Sequence, residues 1–113
     1  MTQWSNAHEN AFQATITSAD ASSATQVKAK TADQKMYITT VVISVATAMS
    51  VQLQDDTGTP VVLMEQIYLG TNGGAVLKFA DHAPLIVDTN KDLDVLASGA
   101  GNLSVSVFGY LDT

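Results

Sequence analysis

Alternation with a period of two residues dominates this chain. From Ile43 to Leu53 the odd positions are Ile43, Val45, Thr47, Met49, Val51 and Leu53. The even positions are Ser44, Ala46, Ala48, Ser50 and Gln52. Neighbouring side chains of an extended strand point to opposite faces, so one row meets a core and the other stays outside. That is the pattern of a half-buried antiparallel strand. The run is too long for one flat strand and is expected to bend or break between Ala46 and Ser50. The pattern recurs near both ends. Leu103, Val105 and Val107 alternate with Ser104 and Ser106, Leu93 and Val95 with Asp92 and Asp94, and Phe12, Ala14 and Ile16 with Gln13, Thr15 and Thr17.

Turn-forming clusters separate these runs: Asp55 to Pro60, Gly70 to Gly74, Asp81 to Pro84, Thr89 to Lys91 and Ser98 to Asn102. They delimit eight strands, at 11–18, 24–31, 35–47, 49–54, 60–69, 75–80, 84–88 and 92–97, with a ninth at 103–111. No segment has the spacing of an amphipathic helix. Ala19 to Ala24 offers one turn at most. The expected fold is all-β: an antiparallel β-sandwich, jelly-roll-like, of about eight or nine strands. Residues 11–113 form that single domain. Residues 1–10 stand outside the pattern and read as an extended N-terminal arm.

The 113 residues suit one domain with one core. Cysteine is absent, so packing must hold the fold without disulfides. Net charge is −6, with eleven acids against five lysines and no arginine. Phosphate contacts need clustered basic residues, so nucleic acid and anionic membrane are poor partners. The start, "MTQWSNAHEN", has no basic region or apolar run and does not read as a signal peptide. The longest apolar stretch, Met36 to Met49, is too short to span a membrane as a helix. These features lead us to expect a soluble product made in a cytoplasm, or carried out of it in a particle.

Several stretches resemble chemical motifs. Asp56-Thr57-Gly58 is the triplet of retroviral-type aspartic proteases, in which two carboxylates share a proton across a dimer axis. Here polar Gln54-Asp55 leads into it and the triplet lies near mid-chain. The turn reading is simpler: Asp56 caps a hairpin turn, Gly58 accepts positive φ, and Pro60 opens the next strand. Asp88, Asn90, Asp92 and Asp94 have the spacing of a calcium loop. Leu93 stands at its sixth position and Gly99 at its twelfth, where Gly and Glu are needed. The expected reading is a solvated hairpin, and no metal or other cofactor is assigned. His8 and His82 are the only histidines, and no G-x-S-x-G accompanies them. Gly70 to Gly74 is glycine-rich but reads as a hairpin loop, with Asn72-Gly73 supplying positive φ. No catalytic residue is assigned, and the chain is not expected to be an enzyme.

From Tyr68 onward the chain has a strand ending in Leu69, an Asn-Gly-Gly loop and an apolar strand ending in Phe79. A Pro84-Leu85 step, a strand from Leu93 to Leu96, the turn Ser98 to Gly101 and a closing strand ending in Gly109-Tyr110 follow. In order and spacing, this last two fifths resembles small virion proteins of tailed bacteriophages. The resemblance implies a jelly-roll-like protein that decorates or cements the capsid surface, often as a trimer. It implies the major capsid protein and further copies of the chain as partners, and carries no catalytic residues. Within that reading the arm docks on a neighbour through Trp4, His8 and Phe12, because aromatic anchors dominate interface energetics. The alternative function is a carbohydrate- or receptor-binding module of a tail or spike.

Overall fold

The computed structural model describes residues 10–113. Nine strands account for the architecture: β1 (Ala11–Asp20), β2 (Thr25–Lys28), β3 (Lys35–Val45), β4 (Met49–Asp55), β5 (Val62–Leu69), β6 (Gly74–Lys78), β7 (Leu85–Val87), β8 (Leu93–Ala97) and β9 (Ala100–Asp112). They form two sheets, and every pairing is antiparallel. The first sheet runs β1-β9-β3-β6, with β7 also paired to β3. The second runs β2-β8-β4-β5. The expected all-β sandwich is thus what the chain forms. The described residues contain no helix, and so none long and apolar enough to cross a membrane.

The alternation is used as the sequence reading expects. Met36, Ile38, Val41, Ile43 and Val45 of β3 and Val105 and Val107 of β9 point inward from the first sheet. Met49, Val51 and Leu53 of β4 and Leu93 and Val95 of β8 meet them from the second. The long run from Ile43 breaks at Ala46–Ala48, where the chain passes from one sheet to the other. Its odd residues stay inward on both sides of the break.

Three expectations about turns need correction. Gly70–Gly73 links β5 in one sheet to β6 in the other, and the segment after β7 likewise crosses to β8. Neither is a hairpin. Among the described strands, β4 and β5 are the only consecutive pair that are neighbours within a sheet. At the Gly70 turn only Asn72 has positive φ, at 57°. Gly73 is needed for space instead, since a Cβ there would lie 2.7 Å from the Gly70 carbonyl oxygen. Gly58 does not adopt positive φ, and β5 begins at Val62 rather than Pro60.

Candidate functional site

Register brings together a surface that no single strand reveals. On the outer face of the first sheet, cross-strand partners form four rows. One row is Ala11, Tyr110, Tyr37 and Ile86. The next is Gln13, Phe108, Thr40 and Lys78. The third is Thr15, Ser106, Val42 and Val76. The last is Thr17, Ser104, Ser44 and Gly74. No carboxylate occurs in these rows, and the only charge is Lys78, on an edge strand. In a chain of net charge −6 this is a marked segregation. The face is also partly apolar. Val76 is 63 % exposed and Ile86 45 %.

Two hydroxyl pairs bridge neighbouring strands on this face. The hydroxyls of Thr15 and Ser106 lie 3.0 Å apart, and those of Ser44 and Ser104 2.8 Å. At the opposite end Tyr37 and Tyr110 stack, with ring centroids 5.0 Å apart and planes 4° from parallel. A shallow hollow beside Tyr110 and Phe108 is bordered by Asp81. Beyond the Ser44–Ser104 row, an open groove of about 610 Å³ is lined by hydroxyl and amide side chains, including Thr17, Asn72 and Asn102.

No family model and no curated protein matches the sequence. Solved structures superpose on it to different extents. The globular domain of zebrafish complement 1qA superposes with a TM-score of 0.51 at 12 % identity, over 92 % of this chain and 98 % of that one. A subunit of the disulfide-linked pili of Bacillus endospore appendages gives 0.44 at 15 % identity, over 91 % and 90 %. The virus-like particle of the extra small virus of the prawn Macrobrachium rosenbergii gives 0.39 at 15 % identity, over 91 % and 80 %. At these identities the likeness to the zebrafish domain is one of fold alone.

Several acidic residues gather elsewhere, where the end of β4 meets the start of β8. Asp55, 2 % exposed at the end of β4, closes the β4–β5 turn. One of its carboxylate oxygens accepts the backbone N–H of Thr57 at 3.1 Å and of Val61 at 3.0 Å, and also the Thr57 hydroxyl. Desolvation alone would raise its pKa. The bonds from the Thr57 side chain and the Val61 and Thr57 backbone, with the Lys91 charge, outweigh it and hold the group below its ordinary value.

The expectation that Asp56 caps this turn is therefore corrected: Asp55 is the cap. Asp56 is exposed and accepts the backbone N–H of Asp92 at 2.9 Å, tying the turn to the start of β8. The acid next to the triplet is thus the one with the structural task. Polarity of the approach, noted in the sequence, was the available signal.

The segment Asp88 to Asp94 spreads its oxygens over different partners. Asp88 accepts the N–H of Thr89 at 2.7 Å, Asn90 that of Asp33 at 2.8 Å, and Asp92 that of Lys30 at 2.7 Å. Among the described residues no three acids or histidines gather as metal ligands. Asp94 points from the outer face of the second sheet. Partial burial, then the nearby charges of Asp56, Asp92 and Asp55, raise its pKa. His82 sits exposed in the turn between β6 and β7.

Of the proposed arm, Trp4 and His8 lie outside the described residues. Phe12 does not belong to an arm. It is in β1, partly buried against the core, with the Lys28 ammonium 4.9 Å from its ring centroid. Its place in an alternating run already separated it from the tail.

Proposed function

We propose that this chain is a structural virion protein of a tailed phage that binds the outside of the capsid as a decoration or cement protein and stabilises the shell as a homotrimer. The supporting observation is the segregated surface. A broad, carboxylate-free, partly apolar sheet face on an acidic protein is a face made to be covered, since interface centres are depleted of charge and enriched in aromatics. The resemblance of Tyr68 to Thr113 to small virion proteins gives the context. An acidic, arginine-free exterior suits a protein outside the shell, away from packaged nucleic acid. Several copies in one assembly let modest individual contacts act with avidity. Partners in this reading are the major capsid protein and the chain itself, and the location is the virion surface.

Purified protein added to undecorated cognate shells tests it. Stoichiometric binding and a rise in the shell's melting temperature are expected. Failure to bind would remove the decoration role.

A second reading, a carbohydrate- or receptor-binding module of a tail or spike, is favoured by Tyr68. It is 80 % exposed on the second sheet and donates to Gln66 Oε1 at 3.0 Å. Binding to a glycan array that is lost in Tyr68→Ala would promote this reading.

A further inference from the structure

We infer that copies of this chain meet one another through the outer face of the first sheet, with the Tyr37–Tyr110 stack and Val42 in the contact. The inference deepens the proposed function by assigning a specific surface to self-association, and rests on that reading for its biological setting.

Charge is the first argument. A face that meets a copy of itself brings identical residues near one another, so charged groups on it would repel. The ten acids among the described residues all lie outside the four rows. Charges at its margin include Lys78 on edge strand β6 and the pair Lys35–Asp112 beyond the tyrosine row. A charge-poor centre with a charged rim is the anatomy of an oligomer contact.

Hydrogen bonding is the second argument. A surface that reads a different partner or a polar ligand leaves donors and acceptors for it. Here the hydroxyls of Thr15 and Ser106, and of Ser44 and Ser104, bond to each other within the sheet. Each pair uses one donor internally, so burying these four hydroxyls needs fewer matching groups opposite than four free ones would. Exposed Val76, half-buried Val42 and the flat tyrosine pair then supply the gain from desolvation.

Size is the third. Four strands at a spacing of about 4.8 Å and four rows about 6.7 Å apart give a face of roughly 500 Å². Two such surfaces bury about 1,000 Å², near the lower bound for a specific interface. In a trimer with three such faces turned toward a common axis, roughly 1,500 Å² is buried in all, about 500 Å² for each pair of neighbours.

The test uses the full chain and light scattering. The wild type is expected to be an oligomer. Val76→Glu combined with Thr15→Glu, both at exposed positions, should reduce the mass to that of one chain while circular dichroism and melting remain those of a folded sheet protein. Tyr68→Glu, on the other sheet, should leave the oligomer intact. A second measurement does not depend on dissociation. The chain has no cysteine, so Ser106→Cys should cross-link copies on mild oxidation, and Gln66→Cys should not. A monomeric wild type would overturn the inference. So would an oligomer that survives the double substitution and fails to cross-link at position 106. Shell binding is scored separately: a monomer that still binds shells sinks this inference and spares the decoration role. An oligomer that dissociates as expected but never binds shells does the reverse.

Discussion

A Cβ built on Gly109 falls 2.0 Å from the Tyr37 carbonyl oxygen and 3.0 Å from the Ile38 Cα. Strands β3 and β9 make this approach beside a break in register, where Ile38 pairs with Gly109 and Thr40 with Phe108. No rotamer change relieves a clash with backbone. Gly109→Ala is therefore expected to destabilise the fold by about 1–3 kcal/mol, the range for forced overpacking. A shift in denaturant midpoint measures it. A change under about 0.5 kcal/mol, the size of an ordinary surface substitution, would mean that the strands part freely here.

Removal of the Asp55 carboxylate leaves the Val61 and Thr57 N–H groups without their acceptor. Asp55→Ala should cost about 2–3 kcal/mol, and Asp55→Asn, which keeps one acceptor oxygen, should cost less. The sign with pH follows from the lowered folded value. The stability this carboxylate contributes is present above its ordinary value of about 3.9 and is lost as pH falls through the lower folded value. Unfolding curves of wild type and Asp55→Asn should therefore converge in strong acid. A gap that stays constant from neutral to acid pH would contradict the assignment.

For Asp94 the sign reverses. Its folded pKa is raised, so the charged form is penalised in the native state at neutral pH. Protonation relieves the penalty, and stability from this group grows as pH falls through the raised value toward the ordinary one. Asp94→Asn should raise stability at neutral pH by about 0.5 kcal/mol, the scale of a partly screened surface charge. The advantage should vanish in acid. Thermal melts of the two proteins across that range decide the matter.

Asp56→Asn keeps an oxygen that can accept the Asp92 N–H. Melting temperature should change little, and any self-cleavage on prolonged incubation should be the same as in wild type. Cleavage abolished by this substitution would restore the protease reading of Asp56-Thr57-Gly58. Asp56→Ala removes the acceptor and should cost about 1 kcal/mol, the typical worth of one such bond.

Strand existence and inward faces were legible in the chain because period two is a local property. Val105 and Val107, or Leu93 and Val95, announce their direction from their own neighbours. The candidate interface was legible only in part. Outward rows of small and hydroxyl side chains, such as Ser104 and Ser106, were visible in the alternation. That Thr15 meets Ser106, and Val42 meets Val76, required the register between β1, β9, β3 and β6. The stack of Tyr37 on Tyr110 joins residues far apart in sequence and has no local signal.

The sequence by itself determined an all-β chain, nine extended segments, the row of side chains each would bury, and an acidic surface without arginine. Tertiary structure alone decided which strands became neighbours. A short turn built on Gly with Asp or Asn reverses the chain equally well into the same sheet, as at Asp55 to Val62, or across to the other, as at Gly70 to Gly74. The choice between them is made by how the buried rows of both sheets pack together. That packing placed all ten described acids outside the four central rows of the first sheet.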